Sequence, residues 1–155
     1  MDRKQRGEEI RRLWGPFQGQ LLESLVNGIP TYHWEQEGKF SERRQEVDIL
    51  GRPQSQGFVV AIELERDRAT CARNIVKLWM HLDNKPENML LLQVFSPVFV
   101  KDKSSWREEA EFLGGKAGKD TGGVLYYQQI VLETWPAENP NILPELTSRI
   151  RNMIS

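Results

Sequence analysis

An α/β fold, a mixed β-sheet flanked by helices on both faces, is what this sequence predicts. Three observations lead there. Amphipathic segments come in the order helix, three strands, helix, strand. "FVVAIELE" (residues 58–65) is apolar on both faces until its end, as a central strand would be. The first three strands are joined by polar turns, which suits an antiparallel meander. The helix after the third strand implies a parallel return through a right-handed crossover.

In residues 8–26, Ile10, Leu13, Trp14, Phe17, Leu21, Leu22, Leu25 and Val26 recur at spacings of three and four. That is an amphipathic helix, with a bend expected at Gly15-Pro16 and an end at Asn27-Gly28. "TYHWEQE" (31–37) reads as a strand and 38–44 as a polar loop. "QEVDILG" (45–51) alternates Val47 and Ile49 against Glu46 and Asp48, which is strand spacing. "RPQSQG" (52–57) is a turn. Residues 70–82 are helical, with Ala72, Ile75, Val76 and Trp79 as the inward stripe. "NMLLLQVFS" (88–96) is a second buried strand. Residues 105–113 form a helix, 114–123 a mobile glycine- and lysine-rich loop, 124–134 a strand and 143–154 a terminal helix.

The chain has 155 residues, which suits a single domain with a core at about 8–96 and an elaboration at 97–155. Hydrophobic residues make up 39% and charged ones 28%, which suits a soluble globular protein rather than a disordered one. The lone Cys71 excludes an intramolecular disulfide and a cysteine zinc site, and fits a reducing cytoplasm. No apolar run approaches a membrane span, and the charged N-terminus lacks a secretory core, so a cytoplasmic, non-membrane protein is expected. Net charge is −1, so any contact with nucleic acid must come from local basic clusters at 43–44, 66–73 and 101–119.

The chemistry gathers at the end of the apolar strand. Glu63 and Glu65 lie two apart and so share a face. Asp48, on the preceding strand, comes within reach of Glu63 if the two strands pair. Adjacent carboxylates repel unless a cation, a proton or a basic side chain offsets them. Such oxygen ligands suit Mg²⁺ or Mn²⁺. On the following helix Arg73, Asn74 and Lys77 share a face that could carry positive charge towards these acids.

Asp48 in "EVDIL" and Glu63-Leu64-Glu65 in "AIELE", set on the second and third strands, resemble the motif of the PD-(D/E)xK nuclease superfamily. The resemblance covers roughly the first 100 residues. It implies a restriction endonuclease-like αβββαβ core and a Mg²⁺- or Mn²⁺-dependent nuclease acting on nucleic acid, DNA rather than RNA. Asp48 and Glu63 would be the metal ligands, and Asp48, Glu63, Glu65 and Lys77 the catalytic set. Arg68, Arg73 and Asn74 would contact substrate. The sequence departs from the pattern in two places: Val47 stands where the motif has proline, and Glu65 where it has lysine. Some active members carry glutamate there, and others draw the lysine from the next helix, for which Lys77 is the candidate. Glu23 on the first helix is a further candidate acid.

Plainer readings stand beside these. His33 and His81 read as structural or surface residues, Cys71 as a packed thiol, and Trp34 and Trp106 as packing residues with base stacking as the alternative. The 114–123 stretch lacks the order of a phosphate loop. Two alternatives to a nuclease are a degenerate binding module of the same fold, and an assembly domain whose terminal helix packs against a second copy as a homodimer.

Overall fold

The computed structural model describes residues 3–40, 45–82, 87–97 and 105–155. The elements are α1 (Arg3–Gly28), β1 (Tyr32–Lys39), β2 (Glu46–Pro53), β3 (Val59–Leu64), α2 (Arg68–Leu82), β4 (Met89–Phe95), α3 (Ser105–Asp120), β5 (Leu125–Val131) and α4 (Ile142–Ile154). The strands form one five-stranded sheet in the order β1-β2-β3-β4-β5. β1, β2 and β3 pair antiparallel, and β3, β4 and β5 pair parallel. The expected meander and parallel return are both present.

Two apolar layers cover the sheet. α1 and α4 pack Trp14, Phe17, Leu21, Leu146 and Ile150 against Ile49, Ile62, Leu64, Leu90, Leu92 and Val94. α2 and α3 pack Cys71, Ile75, Leu78 and Ala117 against Val47, Val59, Ala61, Met89, Leu91 and Phe95. β3 and β4 are buried along their whole length, so their alternating side chains feed both layers.

The structure corrects several expectations. α1 runs through Pro16 unbroken. Gly15 and Pro16 face solvent, where water can satisfy the carbonyl that proline leaves without a donor. In β2, Val47 and Ile49 do not share a face: Val47 joins the α2 layer and Ile49 the α1 layer. The ladder between β1 and β2 omits Glu37 and Asp48, Glu37 has φ 53°, and the strand rolls there. The stretch 114–123 is not a loop over most of its length, because α3 continues to Asp120. Gly114 allows close packing there: a Cβ on it would run into the Tyr127 ring. The inward stripe of α2 is Cys71, Asn74, Ile75, Leu78 and Leu82, whereas Ala72 and Val76 are exposed. The terminal helix is not a free apolar face. α4 docks on α1, with Ser24 Oγ 2.6 Å from Thr147 Oγ1 and Arg151 donating to the Gly28 carbonyl at 2.7 Å. Among the described residues no helix is long and apolar enough to cross a membrane.

Candidate functional site

β2 and β3 stay in register only as far as the pair Ile49–Ile62. Beyond it they part, and polar side chains fill the fork. Asp48 Oδ2 accepts the Leu64 N–H at 2.7 Å, taking the donor that a continued ladder would have used. Gln18 of α1 donates to the Asp48 carbonyl at 2.9 Å.

Glu63 is 4% exposed and faces α2. Lys77 Nζ donates to Glu63 Oε1 at 2.9 Å and to the Glu46 carbonyl at 2.8 Å, so one ammonium ties both prongs of the fork. Burial, and then the charge of Asp48, raise the Glu63 carboxyl well above the ordinary range, while Lys77 opposes them. Lys77 thus reaches Glu63 directly, and Asp48 is near enough for its charge to act on Glu63.

Glu65 has different surroundings. It is fully buried, and its carboxylate accepts from Asn74 Nδ2 at 3.1 Å and from Gln93 Nε2 at 2.9 Å. Trp14 Nε1 donates to its carbonyl at 2.9 Å. Gln93 also donates to the Cys71 carbonyl at 3.0 Å and accepts from the Tyr127 hydroxyl. Gln129 Nε2 donates to Tyr127 Oη at 2.8 Å and to the Arg107 carbonyl at 3.0 Å. Burial raises the Tyr127 phenol and the Cys71 thiol, and the charge of Glu65 raises the thiol further, so Cys71 is an inert packed group. None of Gln93, Tyr127, Gln129 and Gln18 was singled out by sequence. The available signal was Gln93, a polar residue in the middle of an apolar strand.

Burial lifts Glu65 from 4.5 to about 7, against the opposing hydrogen bonds of Asn74 and Gln93. Between those values the folded protein holds a proton that the unfolded chain has released. Stability from this group is thus full below pH 4.5 and is lost as pH rises to about 7. At 1.36 kcal/mol per pKa unit the loss is about 3 kcal/mol. Urea unfolding of metal-free Glu65→Gln should show less decline between about pH 5 and about pH 8 than the wild type, by roughly that amount. Parallel declines would contradict it.

The remaining candidates fall outside this cluster. Asn74 is 4% exposed, and its amide is taken by Glu65. Arg68 pairs with Glu109 in a bidentate contact with both side chains exposed. Arg73 is exposed. Arg73 and Arg11 both face Asp67, which caps α2 through the Thr70 N–H at 2.8 Å. Glu23 and His33 are exposed on their elements, and Trp34 is buried in the α1 layer. His81 packs edge-on against Phe40. The basic pairs at 43–44 and 101–103 and the side chain of Trp106 lie outside the described residues.

No family model, curated protein or solved structure gives a significant match to this chain. Its chemistry is carried by the geometry alone. Among the described residues no group of three or more His, Cys, Asp and Glu side chains is arranged to hold a metal ion. What the fork offers is two carboxylates from neighbouring strands and one ammonium. A cleft of about 720 Å³ lies elsewhere, between α3 and β5, over Tyr126, Tyr127 and the glycines of α3.

Proposed function

We propose that this chain is a divalent-metal-dependent phosphodiester hydrolase of the PD-(D/E)xK type, with nucleic acid, DNA rather than RNA, as substrate. The observation that carries the reading is the fork itself. Asp48 and Glu63 reach it from strands that part there, and Lys77 Nζ stands 2.9 Å from Glu63. Two carboxylates suffice for Mg²⁺ or Mn²⁺, which commonly keep several waters and complete their shell with substrate phosphate oxygens. A bound ion would supply Lewis acidity and a water of lowered pKa.

On this reading Asp48 and Glu63 hold the ion. Leu64 N–H and Gln18 fix the Asp48 side chain and backbone, and Lys77 would supply a positive charge beside the scissile phosphate. The helix lysine stands in for the strand lysine that Glu65 replaces. The five-stranded mixed sheet and its order are compatible with the restriction endonuclease-like fold. A cytoplasmic setting agrees with the single buried thiol.

A second reading, a nuclease-like binding module without activity, is favoured by one observation: no third acid joins the pair among the described residues. Incubation of the purified chain with duplex and single-stranded DNA in Mg²⁺ or Mn²⁺ separates the two. The hydrolase reading expects cleavage that chelation abolishes. If neither substrate is cut but a gel shift persists in Ca²⁺, the binding reading holds, with a salt slope of about −0.9 per neutralised duplex phosphate.

A further inference from the structure

Two strand carboxylates meet two helix side chains in reversed order. Glu63 meets Lys77, and Glu65 meets Asn74. The acids, Glu63 on β3 and Glu65 just past its end, are two residues apart, about 6.6 Å if the chain stays extended. On α2 their partners are three apart, about 4.5 Å along the axis. The reversal follows from topology, because a helix joining two parallel strands runs back against the first. We infer that Glu65 is a positioning residue: through Asn74 it fixes the rotation and height of α2 so that Lys77 lands on Glu63.

Glu65 cannot itself touch a substrate, since it is fully buried. All the donors that reach it come from the scaffold, and they are directed. Gln129 is anchored on the Arg107 carbonyl and donates to Tyr127. Tyr127 donates to the Gln93 oxygen, which leaves the Gln93 nitrogen facing Glu65. The carboxylate is thus held from β4 and β5, and Asn74 ties α2 to it side by side with the direct bond from Gln93 to the Cys71 carbonyl. One turn further along α2, Lys77 is only partly covered, with 17% of its side chain exposed. Its two contacts, one on each prong of the fork, would open with a small rotation of the helix.

The inference rests on Lys77 and Glu63 being the working pair of the proposed site. It separates Glu65 from the metal ligands by chemistry. A ligand or a proton carrier at position 65 does not survive replacement by glutamine. A clamp does, because the side-chain oxygen of the introduced glutamine still accepts from Gln93, and the Asn74 amide, which among the described residues bonds Glu65 alone, can flip to meet the new nitrogen.

Acylation of lysines in the metal-free protein, read by mass spectrometry, tests this directly. Exposed Lys4 and Lys119 serve as internal standards on the same molecule. In Asn74→Leu and Glu65→Leu, Lys77 should label about tenfold faster than in the wild type, and in Glu65→Gln within about twofold of it, as expected for losing or keeping a hydrogen bond to a buried carboxylate. Asn74→Ser, too short to reach Glu65, replaces the leucine variants if they do not fold. Wild-type labelling of Lys77 in the Asn74 variants would overturn the clamp, and so would equal rates in Glu65→Gln and Glu65→Leu. Labelling needs neither substrate nor metal. A wild type that cleaves nothing therefore counts against the hydrolase and not against the clamp.

Discussion

Asp48→Asn should lower metal-dependent cleavage by about 10³-fold, the loss expected when several kcal/mol of metal-borne transition-state stabilisation is removed. Asparagine is the informative substitution. Its side-chain oxygen can still accept the Leu64 N–H that Asp48 Oδ2 now takes at 2.7 Å, so the fork keeps its shape while losing a charge. Alanine would also leave that N–H without a partner, at a cost of about 1–3 kcal/mol, and would confound lost chemistry with lost structure. Cleavage rate and urea midpoint should therefore part company in Asp48→Asn: the first collapses and the second holds. A variant that cleaves like the wild type would remove Asp48 from the mechanism.

Lys77→Met should destabilise the metal-free protein by about 3 kcal/mol at pH high enough to ionise Glu63, because it strands a buried carboxylate without its cation. Glu63 has only 5% of its side chain exposed, so water does not take over the role of Lys77. The sign of the pH effect follows from the raised Glu63 carboxyl. At lower pH Glu63 takes up a proton, the stranded charge disappears, and the penalty shrinks. Adding Glu63→Gln to Lys77→Met should recover most of the loss where Glu63 is ionised and little at low pH. A penalty that is the same at both pH values, or that the second substitution leaves untouched, would mean that methionine disturbs packing and that the ion pair contributes little.

Much of the fold was legible because it rests on short-range patterns. The apolar run of β3 and β4, the meander and the parallel return all follow from strand spacing and turn length. Residues 114–120 were misread because the glycine content looked like a loop. The reason for Gly114 is tertiary: Tyr127, from a strand later in the chain, sits where a Cβ on it would be. The α2 stripe was misread by about one residue for a related reason. Periodicity assumes an apolar partner, and at this end of the sheet the partner is acidic, so Asn74 turns inward and Val76 outward. Asp48, Glu63 and Lys77 could be found because charged residues beside an apolar strand stand out. Gln93, Tyr127 and Gln129 could not, because neutral side chains become a network only when β3, β4 and β5 are laid side by side.

The central claim is that Asp48 and Glu63 together hold a divalent ion, and titration calorimetry with Mn²⁺ on the nucleic-acid-free protein tests it most directly. The wild type should take up Mn²⁺ with a measurable heat, and Asp48→Asn and Glu63→Gln should each abolish that heat while keeping the wild-type fold by circular dichroism. Equal Mn²⁺ affinity in the wild type and in both variants would contradict the claim and leave the fork as a structural arrangement of charges.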